Sequence, residues 1–196
     1  MFANRYTALI DACSLAGALK RNLLLTLAEA GFYRVRWSQA VINETQSAIL
    51  DILQKREIAD AESRSKAAIE VMMDAFDDAM VDDYDNFLCV ADGLPDKNDA
   101  HVLAAALKTR GHVIVTDNLK HFPAAVLLPL NIQARTTDEF TADTITLDPG
   151  KAVGAIRVMR QRLNRPGKSA ADLFIDMEAS GLVLTVDALR PYEESL

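Results

Sequence analysis

The sequence predicts an α/β fold with a mostly parallel central sheet, followed by a small all-helical C-terminal appendage. Short apolar or β-branched runs, such as TALIDA and HVIVT, alternate with longer segments of helical periodicity through about residue 140. After TADTITLDPG, only helical segments follow. Half of the 196 residues are apolar, which is enough for one substantial core. We therefore expect one domain over residues 1–146 and a helical extension over residues 147–196.

The chain up to Phe76 is expected to contain one strand and three helices. TALIDA has the apolar character of a buried strand, and Ser14 is expected to cap the helix that ends at Gly31. FYRVRW is expected to be a short basic-aromatic link. Ser38 is expected to cap the next helix, which runs to Lys55, and DAESRSKAAIEVMMDAF is the third helix.

After Phe76 the sequence again alternates between predicted strands and helices, and its last part is predicted to be only helical. HVIVT is a β-branched strand that follows an Ala-rich helix, DAHVLAAALKTRG, of high helix propensity. The remaining expected elements are a brief strand AMV, a short helix YDNFLCVA, a loop DGLPDKN, a turn NLKHFP, a last strand LNIQART, a capped turn TTDEF, a basic helix Lys151–Leu163, a linker NRPGKS, a helix Ala170–Ala179 and a final helical segment TVDALRPYEESL.

Composition excludes several classes of protein. The net charge of −7 argues against a general nucleic-acid coat protein. No window approaches the length of a membrane span, and the first residues lack the apolar core of a signal peptide, so we expect a cytoplasmic protein with no membrane partner. Cys13 and Cys89 show no CxxC spacing and are expected to be reduced core thiols. Three lone histidines give no structural zinc pattern.

Acidic residues stand at the ends of the predicted elements. Asp11 ends the first strand, Asp117 follows HVIVT, and Asp99 opens the Ala-rich helix. Because the carboxyl ends of parallel strands form the working edge of an open sheet, we expect these three side chains at one edge. The direction of Glu44, two turns into its helix, stays open. The structural alternatives are helix caps for Asp11 and Asp99, a turn residue for Asp117 and a solvated charge for Glu44.

A shared metal site gives one cause for the whole set of acids. Clustered carboxylates repel one another, which raises the pKa of some of them, and a bound cation removes that penalty. Ligand sets made only of oxygen select hard ions such as Mg²⁺ or Mn²⁺. Such ions activate water and stabilise charge on phosphoryl groups, so the residues point to metal-assisted phosphodiester hydrolysis.

Four segments in this order, LIDACSLAG, WSQAVINETQ, LPDKNDAHVLAAAL and VIVTDNLKHFP, resemble a PIN-domain protein. More narrowly, they resemble the VapC-type toxin ribonucleases of bacterial toxin–antitoxin pairs. The resemblance covers roughly residues 5–140. It implies a PIN-like three-layer fold and a Mg²⁺-dependent endoribonuclease, with Mn²⁺ as an alternative ion, that leaves a 5′-phosphate and a 3′-hydroxyl. A helical C-terminal extension occurs in a minority of such toxins.

The resemblance also implies a quartet of metal-binding acids. By position, the first three are Asp11, Glu44 and Asp99. The family places the fourth acid one or two residues after a strand-end threonine, and here Thr116 is followed by Asp117. We assign Asp117 to the metal as the fourth catalytic acid. Supporting roles in the site are assigned to Thr116, Asn118 and Asp96.

The implied partners are an RNA substrate (transfer, ribosomal or messenger RNA), a cognate antitoxin protein and a second copy in a homodimer. Basic residues are expected to contact the RNA phosphates, and an aromatic ring could stack on a base. The structural alternatives are a core tryptophan, solvated arginines and, for His101, a packed residue rather than a base. The candidates for RNA binding are Arg34, Arg36, Trp37, Arg157 and Arg160.

Two other functions compete with the nuclease. A receiver-like signalling module also carries acids at strand ends, but it needs adjacent acids at the first strand and a lysine after the last. Here Asp11 is single and no lysine follows LNIQART. A catalytically weak PIN scaffold would bind RNA or a protein without cutting. Such scaffolds typically lack acids of the quartet, whereas this chain keeps at least three.

Overall fold

The computed structural model describes residues 6–163 and 167–196. Its centre is a five-stranded sheet in which every neighbouring pair of strands is parallel, in the order β3-β2-β1-β4-β5. The predicted α/β class is therefore confirmed. The strands are β1 Thr7–Ile10, β2 Arg34–Ser38, β3 Met80–Val81, β4 Val113–Val115 and β5 Gln133–Arg135.

Helices pack around this sheet and form the extension. No helix within the described ranges is long and apolar enough to cross a membrane. Short 3₁₀ segments cover Asp85–Gly93, Lys97–Asp99, Leu119–His121, Leu128–Leu130 and Arg190–Ser195. The α-helices are α1 Ala12–Ala16, α2 Ala18–Glu29, α3 Gln39–Lys55, α4 Ala61–Ala75, α5 Ala100–Lys108, α6 Ala124–Leu127, α7 Thr137–Leu147, α8 Pro149–Arg162, α9 Ala170–Ala179 and α10 Val183–Leu189.

The two central strands, β1 and β4, carry the core. Every residue of both strands is buried, as expected for parallel strands that are covered on both faces. Leu9 pairs in register with Ile114, and both are fully buried. Helix α5 packs against β1, β2 and β4, and its residues 102–106 are completely buried. Residues 104–106 are three consecutive buried alanines, whose small side chains permit close packing of the helix on the sheet.

The segment FYRVRW was expected to be a link, and this is wrong because it contains β2. Trp37 is 1% exposed and packs edge-on against Phe76, with 6.0 Å between the ring centroids. Trp37 is thus a core residue, the structural alternative given above, and its burial does not favour stacking on an RNA base; its RNA-binding role stays a prediction. Arg36 forms an ion pair with Asp78. Arg34 pairs with the first residue of β1, at the amino end of the sheet, and thus lies at the edge opposite to the acids.

The start of the first helix also differs from the prediction. Asp11, not Ser14, caps α1, because its Oδ1 accepts the N–H of Ala12 at 2.7 Å. Ser14 lies inside the helix and donates to the carbonyl of Val115 at 3.3 Å. The single predicted helix is interrupted at Gly17, whose extended backbone separates α1 from α2. The predicted cap of α3 is confirmed, since the hydroxyl of Ser38 accepts the N–H of Val41.

Both cysteines depart from the expected core location. Cys13 and Cys89 are exposed residues with free thiols. Cys89 lies in the 3₁₀ segment Asp85–Gly93, where its sulfur approaches the carbonyl of Asn86. Cys13 lies in α1, directly beside Asp11, and its position bears on the candidate site. The expectation that the two thiols fill the core is therefore wrong.

The C-terminal helices pack back onto the domain. Helix α7 starts with a capping box between Thr136 and Glu139 and is longer than the predicted capped turn. Helix α8 packs against α2, and α10 packs against α7. The predicted boundary at residue 146 falls in the last turn of α7, and it stays a prediction. Of the predicted linker NRPGKS, residues 164–166 lie outside the described residues.

The cap of α10 comes from a different helix and should be measurable as stability. Asp138 on α7 accepts the N–H groups of Leu184 and Thr185 at 2.9 and 2.8 Å. We expect Asp138→Ala to lower the free energy of unfolding by about 1–2 kcal/mol, because two helix N-terminal donors lose their acceptor. Urea denaturation followed by circular dichroism measures this. The exposed Asp187→Ala on α10 is the control, expected within about 0.5 kcal/mol of wild type; equal losses in both variants would contradict the capping role.

Candidate metal centre

Asp11 and Thr116 meet at the carboxyl ends of β1 and β4. Asp11 is 6% exposed, and Thr116 is fully buried. The Thr116 hydroxyl donates to Asp11 Oδ2 at 2.7 Å, and the main-chain N–H of Asp11 donates to the carbonyl of Val115 at 2.9 Å. With the N–H of Ala12 on Oδ1, both carboxylate oxygens have a donor. A buried carboxylate requires such partners, and they hold it in one orientation.

Asp99 lies at the start of α5 and faces a histidine. Although Asp99 occupies the N-cap position, its side chain makes no capping hydrogen bond, so the capping alternative does not account for it. Its Oδ2 lies 2.7 Å from Nδ1 of His121. Burial raises the pKa of Asp99, the hydrogen bond with His121 opposes this, and the nearby charge of Asp11 raises it further. The pKa of Asp99 lies above its ordinary value as a result.

Asp96 joins Asp99 at the same imidazole. Its Oδ2 lies 3.8 Å from Nδ1 of His121, while its Oδ1 accepts the N–H of Asn98 at 2.9 Å. One ligand atom each from Asp96, Asp99 and His121 lie within 4.8 Å of one another. The short 3₁₀ segments Lys97–Asp99 and Leu119–His121 carry these residues to one place. The set could hold a metal ion.

Glu44 reaches this edge through a second histidine. Its Oε1 lies 3.0 Å from Nε2 of His101, which stands two residues after Asp99 on α5. His101 is mostly buried, and its Nδ1 has no hydrogen-bond partner among the described residues. A proton on Nε2 would let the ring donate to Glu44, and Nδ1 would then be a buried acceptor without a donor among the described residues. His101 is thus packed, as one alternative held, and it also orients Glu44.

Asp117 points to different partners from those of Asp11 and Asp99. Its Oδ2 accepts from Nζ of Lys20 at 2.6 Å, and its Oδ1 accepts the N–H of Thr137 at 3.0 Å. Burial raises the pKa of Asp117, but the bonds from Lys20 and Thr137 outweigh it, so the pKa lies below its ordinary value. Both oxygens of the expected fourth ligand therefore have protein partners, and its carboxylate is turned toward α2 and α7.

Asn118 and Cys13 complete the surroundings. The main-chain N–H of Asn118 donates to the Thr116 hydroxyl at 3.0 Å, and its side-chain Nδ2 lies 2.8 Å from Nδ1 of His121. The Cys13 thiol donates to Asp11 Oδ2 at 3.1 Å. Although residue Cys13 is exposed as a whole, its thiol lies in a part-buried contact with Asp11. The partial burial of the thiol and the charge of Asp11 raise the pKa of Cys13 to about 11, so the thiol keeps its proton at neutral pH and acts as a third donor to Asp11.

Three residues that contact the predicted acids were not among the predicted site residues. His121, Lys20 and Cys13 were given no role, although each contacts an acid that was singled out. For His121, the usable signal is its place three residues after Asn118, in the turn that follows the strand end. Lys20 gives no comparable signal, because its partner is 97 residues away and the contact exists only in the folded sheet.

The residues present fit a divalent cation. Asp11, Asp96 and Asp99 supply carboxylates, and Glu44 lies on the same side through His101. Within residues 6–163 and 167–196, no lysine or arginine forms an ion pair with Asp11, Asp96 or Asp99. In these residues His121 is the ion-pair partner of Asp96 and Asp99, and a bound divalent ion would relieve the repulsion among the acids.

The basic C-terminal residues are largely engaged within the fold. Arg160 donates to the carbonyls of Lys168 and Leu196, and Arg162 lies 3.6 Å from Glu29. Arg157 is exposed on α8, and its RNA-binding role stays a prediction. Lys97 and Lys120 are close in sequence to the site residues and are exposed. Neither was among the predicted RNA-binding residues.

Comparison with known families identifies the fold. A family model described as the PIN domain matches residues 7–120, which is more than half of the chain. The chain therefore belongs to the PIN-domain family, and the predicted resemblance is confirmed. A second family model, described as the VapC50 C-terminal domain, matches residues 137–191, so the segment from α7 to α10 is similar to that domain.

A curated relative points in the same direction. A Mycobacterium tuberculosis protein named "Putative ribonuclease VapC50" is 53% identical over 49 residues. That match covers 25% of this chain and only 29% of the relative, well under two thirds of its length. No solved structure matches the chain.

The opposite environments of Asp99 and Asp117 predict opposite effects of neutral substitutions on stability. The pKa of Asp99 is raised in the folded state, so ionised Asp99 destabilises the fold as the pH rises through that pKa. The pKa of Asp117 is lowered in the folded state, so ionised Asp117 stabilises the fold above about pH 4. In EDTA at pH 7, we expect Asp99→Asn to raise the melting temperature and Asp117→Asn to lower it.

Thermal unfolding between pH 3 and pH 8 measures both effects. The Asp117→Asn difference should shrink as the pH falls through the lowered folded-state pKa, where Asp117 itself is protonated. The Asp99→Asn difference should also shrink in acid. Two variants shifted in the same direction at pH 7 would contradict the assignment of Asp99 and Asp117 to different environments.

Proposed function

We propose that this protein is a metal-dependent endoribonuclease that hydrolyses RNA phosphodiesters. The observation that carries the proposal is the gathering of Asp11, Asp96 and Asp99 at the carboxyl edge of a PIN-domain sheet without a lysine or arginine partner in the described residues. The proposed metal ligands are Asp11, Glu44 and Asp99, with Mg²⁺ as the ion and Mn²⁺ as a substitute. Asp117 was predicted as the fourth ligand, but its carboxylate oxygens accept from Lys20 and Thr137, so we leave it out of the proposed ligand set.

The side chains around the proposed ligands fix them in place before any ion binds. Thr116, Cys13 and the N–H of Ala12 hold Asp11, and His101 holds Glu44. Preorganised ligands lose little conformational freedom on binding and need little movement during the reaction. When bound, a divalent ion lowers the pKa of water and stabilises negative charge on phosphoryl oxygens.

Substrate binding in this proposal relies on exposed lysines that are close in sequence to the site residues. Lys97 precedes Asp99 by two residues, and Lys120 precedes His121. Their ammonium groups would contact backbone phosphates on either side of the scissile bond, with an affinity that falls as salt increases. In-line attack of water on phosphorus with loss of the 3′-oxygen gives a 5′-phosphate and a 3′-hydroxyl.

We extend the proposal to a toxin of a VapC-type toxin–antitoxin pair. The sequence resemblance to VapC toxins supports this, as does the match of residues 137–191 to a VapC50 C-terminal domain. The substrate is then a cellular RNA (transfer, ribosomal or messenger), the protein acts in the cytoplasm, and its partners are a cognate antitoxin and a second copy of the chain. Membership of the PIN family rules out the receiver-like alternative.

The catalytically weak scaffold is the second candidate function. One observation favours it: Asp117 is engaged by Lys20 and Thr137, and Asn118 carries no charge, so one acid of the quartet is unavailable. A scaffold would still bind RNA or a protein partner.

A cleavage assay on total RNA separates these two functions. We expect wild-type protein with Mg²⁺ to make discrete cuts, and EDTA to abolish them. Asp11→Asn and Asp99→Asn should each lower the cleavage rate by about 100-fold or more, because each removes a ligand charge that offsets the metal. Asp74→Asn, an exposed acid on α4, is the matched control and should cleave as wild type does. Intact RNA under all conditions, together with no metal binding by calorimetry, would favour the scaffold.

Asp117→Asn tests the fourth position separately. If Asp117 supports the fold rather than the metal, the variant should keep Mg²⁺ affinity and cleavage within about tenfold of wild type, measured well below its melting temperature. A loss as large as that of Asp11→Asn, in folded protein, would make Asp117 a metal ligand. Lys20→Met is the companion variant, because it frees Asp117 without removing its carboxylate.

A further inference from the structure

We propose that His121 is a nitrogen ligand and that, with Asp96 and Asp99, it forms a second cation position selective for a first-row transition ion such as Mn²⁺ over Mg²⁺. The inference rests on the proposed function in one respect, because Asp99 belongs to both positions. Neither the family resemblance nor the acidic quartet assigns a ligand role to His121.

The geometry brings two separate segments of the chain to one point. Nδ1 of His121 lies 2.7 Å from Oδ2 of Asp99 and 3.8 Å from Oδ2 of Asp96. The two acids flank the 3₁₀ turn before α5, and the histidine ends the 3₁₀ turn after β4. All three side chains are partly exposed, at 20% for Asp99, 23% for His121 and 39% for Asp96, so an ion can enter from solvent.

The charges around this position are unbalanced. Asp96 and Asp99 both direct a carboxylate oxygen at the same imidazole nitrogen, at 3.8 and 2.7 Å from Nδ1 of His121. In the described part of the chain, the ion pairs made by lysine and arginine all lie elsewhere, and one imidazole contributes at most a single positive charge. The two carboxylates at His121 therefore carry more negative charge than one imidazole can balance, and a divalent ion would offset it.

The contacts of Nδ1 conflict with one another in the absence of an ion. Nδ1 lies 2.7 Å from a carboxylate oxygen of Asp99 and 2.8 Å from the amide Nδ2 of Asn118. A ring nitrogen carries either a proton or a lone pair, so it cannot donate to Asp99 and accept from Asn118 together. A cation at Nδ1 uses the lone pair and the carboxylate oxygens at once. The competing arrangement is a protonated Nδ1 shared by Asp99 and a rotated Asn118 amide, which has no nitrogen–metal bond.

The ligand types make the two positions unlike each other. Asp11, Glu44 and Asp99 offer only oxygen, which suits Mg²⁺. Mg²⁺ dehydrates reluctantly and prefers oxygen, whereas transition ions accept imidazole nitrogen together with carboxylates. The His121 position should therefore discriminate between ions that the all-oxygen position accepts alike.

Electron spin echo spectroscopy of the full chain with Mn²⁺ tests the proposal, because coupling to nitrogen appears only when an imidazole binds the ion. We expect nitrogen modulation in wild type and its loss in His121→Gln. In calorimetric titrations, His121→Gln should weaken Mn²⁺ binding by about tenfold or more and change Mg²⁺ binding by less than about twofold. His112→Gln is the control, since His112 stacks on Tyr6 and accepts from Thr7; it should keep the nitrogen signal.

A second variant keeps the test decisive if His121→Gln fails to fold. Asp96→Asn retains an oxygen to accept the N–H of Asn98 but loses its charge, so Mn²⁺ should bind more weakly while the nitrogen signal persists. Unchanged Mn²⁺ affinity in Asp96→Asn would overturn its place in the position. Mn²⁺ bound to wild type without nitrogen modulation would overturn the His121 ligand and leave the proposed nuclease site intact. If no Mn²⁺ binds at all, the His121 position is overturned, and RNA cleavage with Mg²⁺ decides the proposed function separately.

Discussion

The buried pair of Asp11 and Thr116 is the contact on which the rest of the site depends. It joins the carboxyl ends of the two central strands, and each residue takes part in a second hydrogen bond to main-chain N–H, from Ala12 or Asn118. A carboxylate at 6% exposure is tolerable only with such donors. The same donors fix the orientation of the Asp11 carboxylate at the carboxyl edge of the sheet. Ile10 pairs in register with Val115, so the residues that follow them, Asp11 and Thr116, lie side by side at that edge.

Three acids at the ends of secondary-structure elements have different hydrogen-bond partners and therefore different stabilities in the ionised form. Asp11 is held by hydrogen bonds, Asp99 is destabilised by burial and by nearby acids, and Asp117 is stabilised by Lys20. The energetic cost at Asp99 is what a functional site is expected to show, since binding of a cation would recover it. Asp117, one residue past Thr116, has the environment of a structural ion pair instead.

The elements that the sequence predicted well are those with strong local patterns. The Ala-rich α5 and the strand HVIVT were found because their periodicity and propensity agree with their burial. β2 was missed, because a run with two arginines looks exposed although Val35 and Trp37 face the core. The cap of α1 was misassigned, since two polar residues were available and only the fold decides between them.

For the candidate site, pattern and family resemblance located the acids along the chain but not the direction in which each one points. The partners of Glu44 and Asp117 are 57 and 97 residues away, so no local rule could find His101 or Lys20. His121 was likewise invisible as a partner of Asp99, because strand order alone brings the turn after β4 beside the start of α5.

The contact between Asp117 and Thr137 joins the segment that matches the PIN domain (residues 7–120) to the segment that matches the VapC50 C-terminal domain (residues 137–191). On the C-terminal side, the bond uses a main-chain N–H, which any residue except proline provides. On the PIN-domain side, it requires a carboxylate and the lysine that orients it. As far as this bond is concerned, the PIN domain could therefore accept unrelated helical segments at residue 137, whereas residues 137–191 would need a domain that carries the Lys20–Asp117 pair.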